Sequence, residues 1–533
     1  EKSSEEKSTD KSDKQNQKKD EKKSKDIVID LERISERIFE LPVDAGNYRS
    51  LTSVSGYLYY LKFSGGKSVL KAFDFKKKKE TEIGQIDGYE ISADGKKIIY
   101  KRGNDYYISD LSTSMKIGEG KLNLNDMTMT LNRRDEWKQI FYESWRQMRD
   151  FFYAPNMHGV DWEKVKKNYE ELLPYVAHRA DLTYVIGEMI GELNAGHAYV
   201  GGGDLPKIES IPVGLLGAEL KFDPKSGFYI IDKILPGRNW DESTRSPLTE
   251  VGIDVKEGDY LLEIDGVSLK GIKNPYELLV NKANKSVKIK TNSKPSEEGA
   301  KEFIIKTIST ENGLRYFNWV ENNRKKVEEA TDGKVGYVHI PNMGIDGLNE
   351  FVKYFYPQIR KEGLIVDVRY NGGGFVSQMI IERLRRVMTM AGIARNSKVV
   401  TTYPSAVFLG PMVCLVNEFS ASDGDIFPYQ FKKNNLGLVI GKRSWGGVVG
   451  IRGTLPFVDG GYLNRPEFAN FSVEGEWILE GVGMEPDIVV DNDPALEFEG
   501  RDQQLEKALE IIKEEMKKKP ARLPEIPDWP IKR

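Results

Sequence analysis

Cysteine and histidine are the scarcest chemically versatile residues in this chain of 533 residues. The one cysteine, Cys414, excludes an intramolecular disulfide framework, and its apolar, strand-like surroundings predict a core residue. That cysteine and four scattered histidines give no ligand cluster with zinc spacing, so we expect no metal and no other cofactor. Any catalysis would therefore rest on ordinary side chains.

An excess of charge of either sign is also missing. The 79 Lys and Arg residues nearly balance the 82 Asp and Glu residues, for a net charge of −3. This balance gives no electrostatic bias toward polyanions, so we expect no nucleic-acid partner. No apolar run is long enough to cross a bilayer, so we expect no membrane partner either.

Composition and periodicity divide the chain into five segments, of which three come first. Residues 1–26 contain no apolar side chain and are predicted to be a disordered, charged linker. Residues 27–115 alternate apolar and polar positions between Gly and Asp-Gly turns, which predicts the last blades of a β-propeller. About two blades are visible and a closed propeller needs at least four, so we expect the others upstream of Glu1. Residues 116–204 have helical periodicity and predict a small helical domain.

The last two segments complete a multidomain α+β fold. Residues 205–310 contain "GLLGAEL" and "GDYLLEIDG", which resemble a PDZ domain. In that fold a glycine-rich loop offers backbone amides to a peptide carboxylate beside an open strand edge. Another small antiparallel domain is the alternative. Residues 311–533 alternate buried strands with helices and end in an amphipathic helix, which predicts an α/β layered domain.

Two loops of the α/β domain carry residues suited to catalysis. The loop "NGGG" follows the strand "LIVDVRY" and exposes bare backbone amides. The segment "NEFSASDGDIF" puts Ser420 and Ser422 where a strand passes into a helix. A serine in such a turn can act as a nucleophile, and the next amide can donate to an oxyanion. Each loop alone is common in proteins without catalytic function, but their pairing at one sheet edge favours a nucleophile site.

A serine nucleophile needs a base, and the chain offers few histidines. His158, His178 and His339 read as surface or structural residues. His197 stands out because Gly196 precedes it and a glycine-rich loop follows, although a structural role is its alternative too. Glu480, in "WILEGVGMEPDIVV", is the candidate carboxylate that orients the base. A solvated loop carboxylate is the alternative there.

Four motifs together resemble those of the tricorn protease family, within the C-terminal-processing peptidase superfamily: "GELNAGHAYV", "VDVRYNGGGFVSQ", "NEFSASDGDIF" and "LEGVGMEPDIVV". The domain order also resembles the C-terminal half of that family. The resemblance implies a serine endopeptidase with a ClpP/crotonase-like α/β catalytic domain, which cleaves short or unfolded peptides through an acyl-enzyme. It implies Ser422 as nucleophile, His197 as general base and Glu480 as the support of the base. The backbone amides of Gly373 and Asp423 would form the oxyanion hole.

The resemblance also implies a homo-oligomer, a hexamer, in the cytoplasm, with the periplasm as the alternative compartment. Two positions depart from the related patterns. Gly447 stands where the tail-specific branch has its catalytic lysine, which favours a histidine base. Gly196 stands where the family has a serine beside the histidine. The missing hydroxyl leaves open a rival function, a catalytically impaired PDZ and propeller scaffold that binds peptides. Ser420 is the rival nucleophile by composition, but the motif alignment makes it a turn residue.

Overall fold

The computed structural model describes residues 29–453 and 455–532. The predicted linker, residues 1–26, lies outside these ranges. The chain forms two compact units, the first ending at Thr130 and the second beginning at Leu131. Within the described ranges, no helix combines the length and the apolar character that a bilayer span requires.

The first unit consists of two antiparallel meanders, so the strands predicted from alternation are present. The strands are β1 (Asn47–Val54), β2 (Tyr57–Ser64), β3 (Lys67–Asp74), β4 (Lys79–Gln85), β5 (Gly88–Ile91), β6 (Lys97–Arg102) and β7 (Asp105–Asp110). The first four form one sheet in chain order and the last three form another. A 3-10 helix, Ile34–Arg37, precedes them. A propeller blade has four strands, and the first sheet has the same number.

A helical part opens the second unit. Its helices are α1 (Arg133–Phe151), α2 (Trp162–Glu170) and α3 (Arg179–Gly191), with 3-10 helices at Met157–Gly159 and Leu173–Tyr175. The apolar residues spaced three and four apart along α1 are buried, as the periodicity predicts. Side chains of Asn132, Asp161 and His178 accept from the first-turn amides and so define where the three helices begin. A short strand, β8 (Tyr199–Gly201), follows α3.

The next part is an antiparallel sheet. Its strands are β9 (Ala218–Asp223), β10 (Phe228–Ile234), β11 (Tyr260–Ile264), β12 (Val267–Ser268), β13 (Ser286–Asn292) and β14 (Lys301–Lys306). Their order is β14-β13-β11-β10-β9, with β12 beside β11, so β9 lies at an edge. The 3-10 helices here are Glu242–Thr244, Pro247–Thr249 and Pro275–Leu279. In β13 every second side chain is buried, as in a sheet with one face on a core.

The last part is the predicted α/β domain. Its elements are α4 (Asn312–Ala330), β15 (Val335–His339), α5 (Ile345–Phe355), β16 (Gly363–Asp367), α6 (Ser377–Leu384), β17 (Met390–Gly392), β18 (Thr401–Tyr403), β19 (Met412–Val416), α7 (Asp423–Lys433), β20 (Gly437–Gly441), β21 (Gly450–Ile451), β22 (Tyr462–Asn464), β23 (Pro466–Phe468), β24 (Ile488–Val489), α8 (Pro494–Phe498) and α9 (Gln503–Lys518). A 3-10 helix, Tyr356–Gln358, continues α5. The parallel sheet has the order β15-β16-β19-β20-β24.

This parallel sheet is covered by helices on both faces. One face packs against α5, α6 and α7, and the other against α4 and α9. Every residue of β15, β16 and β19 is buried, which explains why these strands read as unbroken apolar runs. Cys414 lies in the middle of β19 and is fully buried, which confirms the predicted core position.

Candidate active site

Ser422 lies between the end of β19 and the start of α7, and its backbone is in a conformation that serine rarely adopts. Its φ is 59° and its ψ is −121°. Residues with side chains are uncommon at such angles and cost roughly 1–3 kcal/mol unless the surroundings enforce them. Although Ser422 is the N-cap residue of α7, its side chain makes no capping hydrogen bond. The hydroxyl is therefore not used to start the helix.

Ser420, the rival nucleophile, has a different environment. It is fully buried, and its Oγ donates to the carbonyl oxygen of Val368 at 2.8 Å. The same Oγ accepts from the N–H of Asn417 at 3.2 Å. These bonds hold the turn against the end of β16, so the geometry favours a structural role for Ser420.

The glycine loop lies directly against Ser422. Gly373 has a φ of +85°, and a Cβ on it would lie 2.5 Å from the Cβ of Ser422. The Gly373 N–H donates to Oδ1 of Asn371 at 2.9 Å, so one predicted oxyanion donor is engaged within its own loop. The N–H of Asp423, in the first turn of α7, has no acceptor among the described residues. Of the two predicted donors, the Asp423 amide is the one that is free.

His197 differs from the other three histidines in what its ring contacts. His158 bonds Tyr153 and the Leu193 carbonyl, His178 caps α3, and His339 bonds Tyr316 and the Arg369 carbonyl. In His197 the Nδ1 atom is buried and has no hydrogen-bond partner among the described residues. Burial lowers the pKa of His197 and the charge of Glu480 partly opposes this, so the neutral imidazole is favoured at neutral pH.

The Glu480 carboxylate supports the loop of His197 through the backbone. Its Oε1 accepts from the N–H of Gly196 at 2.6 Å. Its Oε2 accepts from the N–H groups of Val448 at 2.7 Å and Val449 at 3.0 Å. Three amide bonds account for a glutamate in a loop position that packing alone does not explain. Within the described chain, Glu480 makes no hydrogen bond to the ring of His197.

Two further contacts hold the helical part against the α/β domain near His197. Strand β8, two residues after His197, pairs antiparallel with β22. At the start of α3, Arg179 forms a buried ion pair with Asp459. Burial alone would raise the pKa of Asp459, but the hydrogen bond and charge of Arg179 outweigh it and hold that pKa below its usual range.

The segment Ser444–Val449 connects the serine and the histidine. The N–H of Trp445 donates to the carbonyl of Ser420 at 3.0 Å. Its ring packs edge-on against the His197 ring, with centroids 5.8 Å apart. No hydrogen bond joins Ser422 to His197 among the described residues, so this segment is what brings their two turns together. Apo sites often have such loose geometry before substrate binds.

Asp425 ties that segment to the helix of the serine. Its Oδ1 accepts from the N–H of Gly446 at 2.7 Å and from the hydroxyl of Ser444. Its Oδ2 is buried without a partner among the described residues. Burial raises the pKa of Asp425 to about 6, and the Glu480 charge adds to the rise.

A groove of about 880 Å³ includes sequence neighbours of two candidate site residues. It is lined by Asp423, next to Ser422, and by Leu479, next to Glu480. From there it runs between α6, α7 and residues 470–474. Its walls combine apolar side chains with both signs of charge, from Glu382, Arg385, Lys433 and Glu474.

Sequence reasoning singled out Ser422, His197 and Glu480 but missed the residues that hold their loops in place. Asn371 and Asn417 follow β16 and β19. Oδ1 of Asn371 accepts from the N–H of Gly373, and Oδ1 of Asn417 accepts from the N–H groups of Phe419 and of Tyr370, which lies in the loop after β16. Asparagine after a strand is a turn signal and was available in the sequence. The contacts of Asp425 and Trp445 carry no such local signal, because their partners lie far away in the chain.

Three family descriptions match the chain, each over one part of the second unit. "Peptidase family S41" matches residues 334–490, "Tricorn protease PDZ domain" matches 214–310, and "Tricorn protease C1 domain" matches 133–191. The matched ranges follow the α/β domain, the antiparallel sheet and the helical part described above.

Individual proteins are similar over most of this chain. A tricorn protease of Thermoplasma volcanium is 35% identical over 93% of this chain and 49% of its own length. A putative tricorn-like protease C-terminal subunit of Sulfurisphaera tokodaii is 34% identical over 93% of this chain and 58% of its own length. A crystal structure of the tricorn protease superposes with a TM-score of 0.82 at 32% identity, covering 89% of this chain and 47% of that one. The chain thus spans about half the length of these three relatives.

Proposed function

Because this chain belongs to the tricorn protease family of S41 serine peptidases, we propose that it is a serine endopeptidase with Ser422 as its nucleophile. The observation that carries this proposal is the backbone of Ser422. A strained, uncapped serine lies against a glycine loop at the end of a parallel strand, which is how hydrolases expose a nucleophile.

We assign the general base to His197. Burial lowers its pKa, so the ring is neutral and able to accept a proton near pH 7. In the first step it takes the proton of the Ser422 hydroxyl as Oγ attacks the peptide carbonyl. It then returns that proton to the leaving amine, and water hydrolyses the acyl-enzyme by the same route. Glu480 serves by fixing the backbone of Gly196, the residue before the base.

The oxyanion of the tetrahedral intermediate is assigned to the amides of Asp423 and Gly373. The Asp423 N–H is free and lies at the N-terminus of α7, where the helix dipole also favours negative charge. The Gly373 N–H would exchange its bond to Asn371 for one to the oxyanion. This exchange is favourable only when the oxyanion carries full charge, so it would act on the transition state rather than on the substrate.

We propose short or unfolded peptides as substrates, bound along the groove that starts at Asp423 and Leu479. The first unit would supply the last blades of a β-propeller, and the α/β domain would have the ClpP/crotonase-like fold. A homo-hexamer in the cytoplasm is the assembly and the compartment that we propose from the family. The rival function, an impaired scaffold, is not favoured, because the family matches are to peptidases and the side chain of the candidate nucleophile makes no capping bond.

Labelling with a fluorophosphonate and peptide mapping would test the proposal, because the reagent modifies serines that a base has activated. We expect label on Ser422 in the native chain, and its loss in Ser422→Ala and in His197→Ala. Ser420→Ala is the matched control and should be labelled at Ser422. Hydrolysis of fluorogenic peptides should fall by about 10³-fold or more in both active-site variants. Label on Ser420, or equal hydrolysis by His197→Ala, would contradict the assignment.

A further inference from the structure

The edge strand β9 of the PDZ domain already has a neighbour from its own chain. In PDZ domains a peptide adds to such an edge, and backbone amides of the preceding loop hold its terminal carboxylate. Here that loop ends at Gly217, and no strand of the described chain pairs with the outer edge of β9. The start of α4 lies at this place instead.

A side-chain carboxylate accepts a hydrogen bond from the last amide of this loop. The N–H of Gly217 donates to Oε1 of Glu311 at 3.2 Å. Glu311 is only 9% exposed and directly precedes α4. Arg315 pairs with Glu311 at 2.8 Å and with Glu219 of β9 at 3.1 Å. The loop, the strand and the helix are thus joined by one short chain of charged contacts.

An apolar side chain accompanies the carboxylate, as it does at the end of a PDZ ligand. Leu314 lies three residues after Glu311, on the same face of the helix. It is 1% exposed and packs with Leu235, Ile308 and Leu215. A Cβ built on Gly217 would lie 3.2 Å from Cδ1 of Leu314, so Leu314 packs closely against the loop that ends at Gly217.

The 3-10 helix Pro275–Leu279 packs on the core of the same sheet through Tyr276 and Leu279. Burial raises the pKa of the Tyr276 phenol in this helix, and the charges of Glu311 and Glu219 add to the rise while that of Arg315 opposes it. Further along, α4 packs on the parallel sheet through Val320 and Val327.

We propose that the peptide groove of the PDZ domain binds the first turn of α4 of its own chain, with Glu311 in place of a peptide carboxylate. The groove is thereby closed to outside peptides with a free C-terminus. The domain is a fixed joint between its own sheet and the α/β domain. Removing the Glu311 carboxylate frees the loop that ends at Gly217 to bind such peptides.

Fluorescence anisotropy on the full chain tests this proposal, in a Ser422→Ala background that prevents cleavage. The probes are a labelled hexapeptide ending in Val with a free carboxylate and its C-terminal amide. In the background chain we expect equal affinity for both probes. In Glu311→Ala we expect the free acid to bind at least about tenfold more tightly than the amide, since only the acid replaces the lost carboxylate.

Two variants serve as controls. Glu311→Gln keeps an oxygen that accepts from Gly217 and should leave the groove closed. Glu329→Ala removes an exposed carboxylate from the far end of the same helix and should match the background chain. Should Glu311→Ala not fold, as judged by its circular dichroism and melting, Arg315→Ala loosens Glu311 without removing it. Arg315→Ala is also expected to bind the free acid more tightly than the amide, by a smaller factor than Glu311→Ala.

Two outcomes would overturn the proposal. If the background chain already prefers the free acid tenfold, the groove is open. If neither Glu311→Ala nor Arg315→Ala gains a preference although one of them is folded, Glu311 does not occupy a carboxylate site. Neither outcome bears on Ser422, whose labelling is measured separately, so failure of this proposal and failure of the peptidase assignment are distinguishable.

Discussion

Oδ1 of Asp425 accepts the backbone N–H of Gly446 at 2.7 Å, and this bond joins the helix of Ser422 to the segment that contacts His197. The N–H of Asp425 in turn donates to the carbonyl of Ser422 at 2.8 Å. One buried carboxyl thus connects the turn of the candidate nucleophile to Trp445, whose ring lies against the candidate base.

Replacing Asp425 should therefore distinguish the effect of its two accepted hydrogen bonds from the effect of its negative charge. Asp425→Ala loses both accepted bonds, so we expect kcat for peptide hydrolysis to fall by about 10- to 100-fold with little change in KM. Asp425→Asn keeps one oxygen acceptor and should stay within about threefold of the native enzyme. The check is steady-state kinetics on a fluorogenic peptide. An equal loss in both variants would show that the charge of Asp425, rather than its acceptor, matters.

The raised pKa of Asp425 also predicts a pH dependence of stability. Its carboxyl binds a proton more tightly in the folded chain, with a pKa of about 6 against 3.8 in the unfolded chain. Folding stability from this group therefore falls as the pH rises from about 4 to about 6 and is constant above. Asp425→Asn does not titrate, so its stability relative to native should improve by about 3 kcal/mol over that range. Urea unfolding at pH 4, 5, 6 and 7 measures the difference, and a constant difference would contradict the assignment.

The fall of kcat/KM on the acid side of its pH profile should reflect protonation of His197. Because burial holds its pKa below 6.5, kcat/KM should fall only below that pH. Glu480→Gln removes the charge that opposes burial, so the limb should move to still lower pH. The plateau should fall as well, since the amide group of Gln cannot accept all three backbone bonds of Glu480. A limb that moves upward would exclude Glu480 as the charge next to the base.

Gly196 should not tolerate a side chain. A Cβ at this position would lie 2.8 Å from the Cα of Gly447, and backbone cannot give way as a side chain can. We expect Gly196→Ala to slow fluorophosphonate labelling of Ser422 by tenfold or more. Gly191→Ala is the matched control, because a Cβ there meets nothing within 4 Å. Equal labelling rates in the two variants would show that the loop before His197 adapts freely.

The buried pair Arg179–Asp459 should contribute strongly to stability. Arg179→Met leaves the Asp459 carboxylate buried without its cation, which should lower the free energy of unfolding by about 3–5 kcal/mol. The exposed pair Arg501–Glu506 is the comparison, and Arg501→Met should cost less than about 1 kcal/mol. Thermal unfolding measures both. A small effect at Arg179 would mean that water reaches Asp459 when the arginine is removed.

The sequence predicted the elements of this fold better than the contacts between them. The unbroken apolar runs of β16 and β19 predicted buried parallel strands, and the alternation around Tyr100 predicted antiparallel ones, because burial of a face has a fixed period. Ser422 was identified because a strand-to-helix turn is a local motif. The occupied amide of Gly373 was not predicted, since it depends on the side chain of Asn371. The contact of Glu311 with the loop before β9 was not predicted either. The sequence of the PDZ domain predicts an edge strand, but the residues that contact it belong to the next domain.

The bond between Gly196 and Glu480 joins residues 284 positions apart in the chain. Contacts of such separation form late in folding, because the loop between them must first be ordered. During synthesis from the N-terminus, His197 emerges long before Glu480 and the strand that pairs with β8. A nascent chain therefore carries His197 without the groups that hold its loop until Glu480 and β22 have been synthesised.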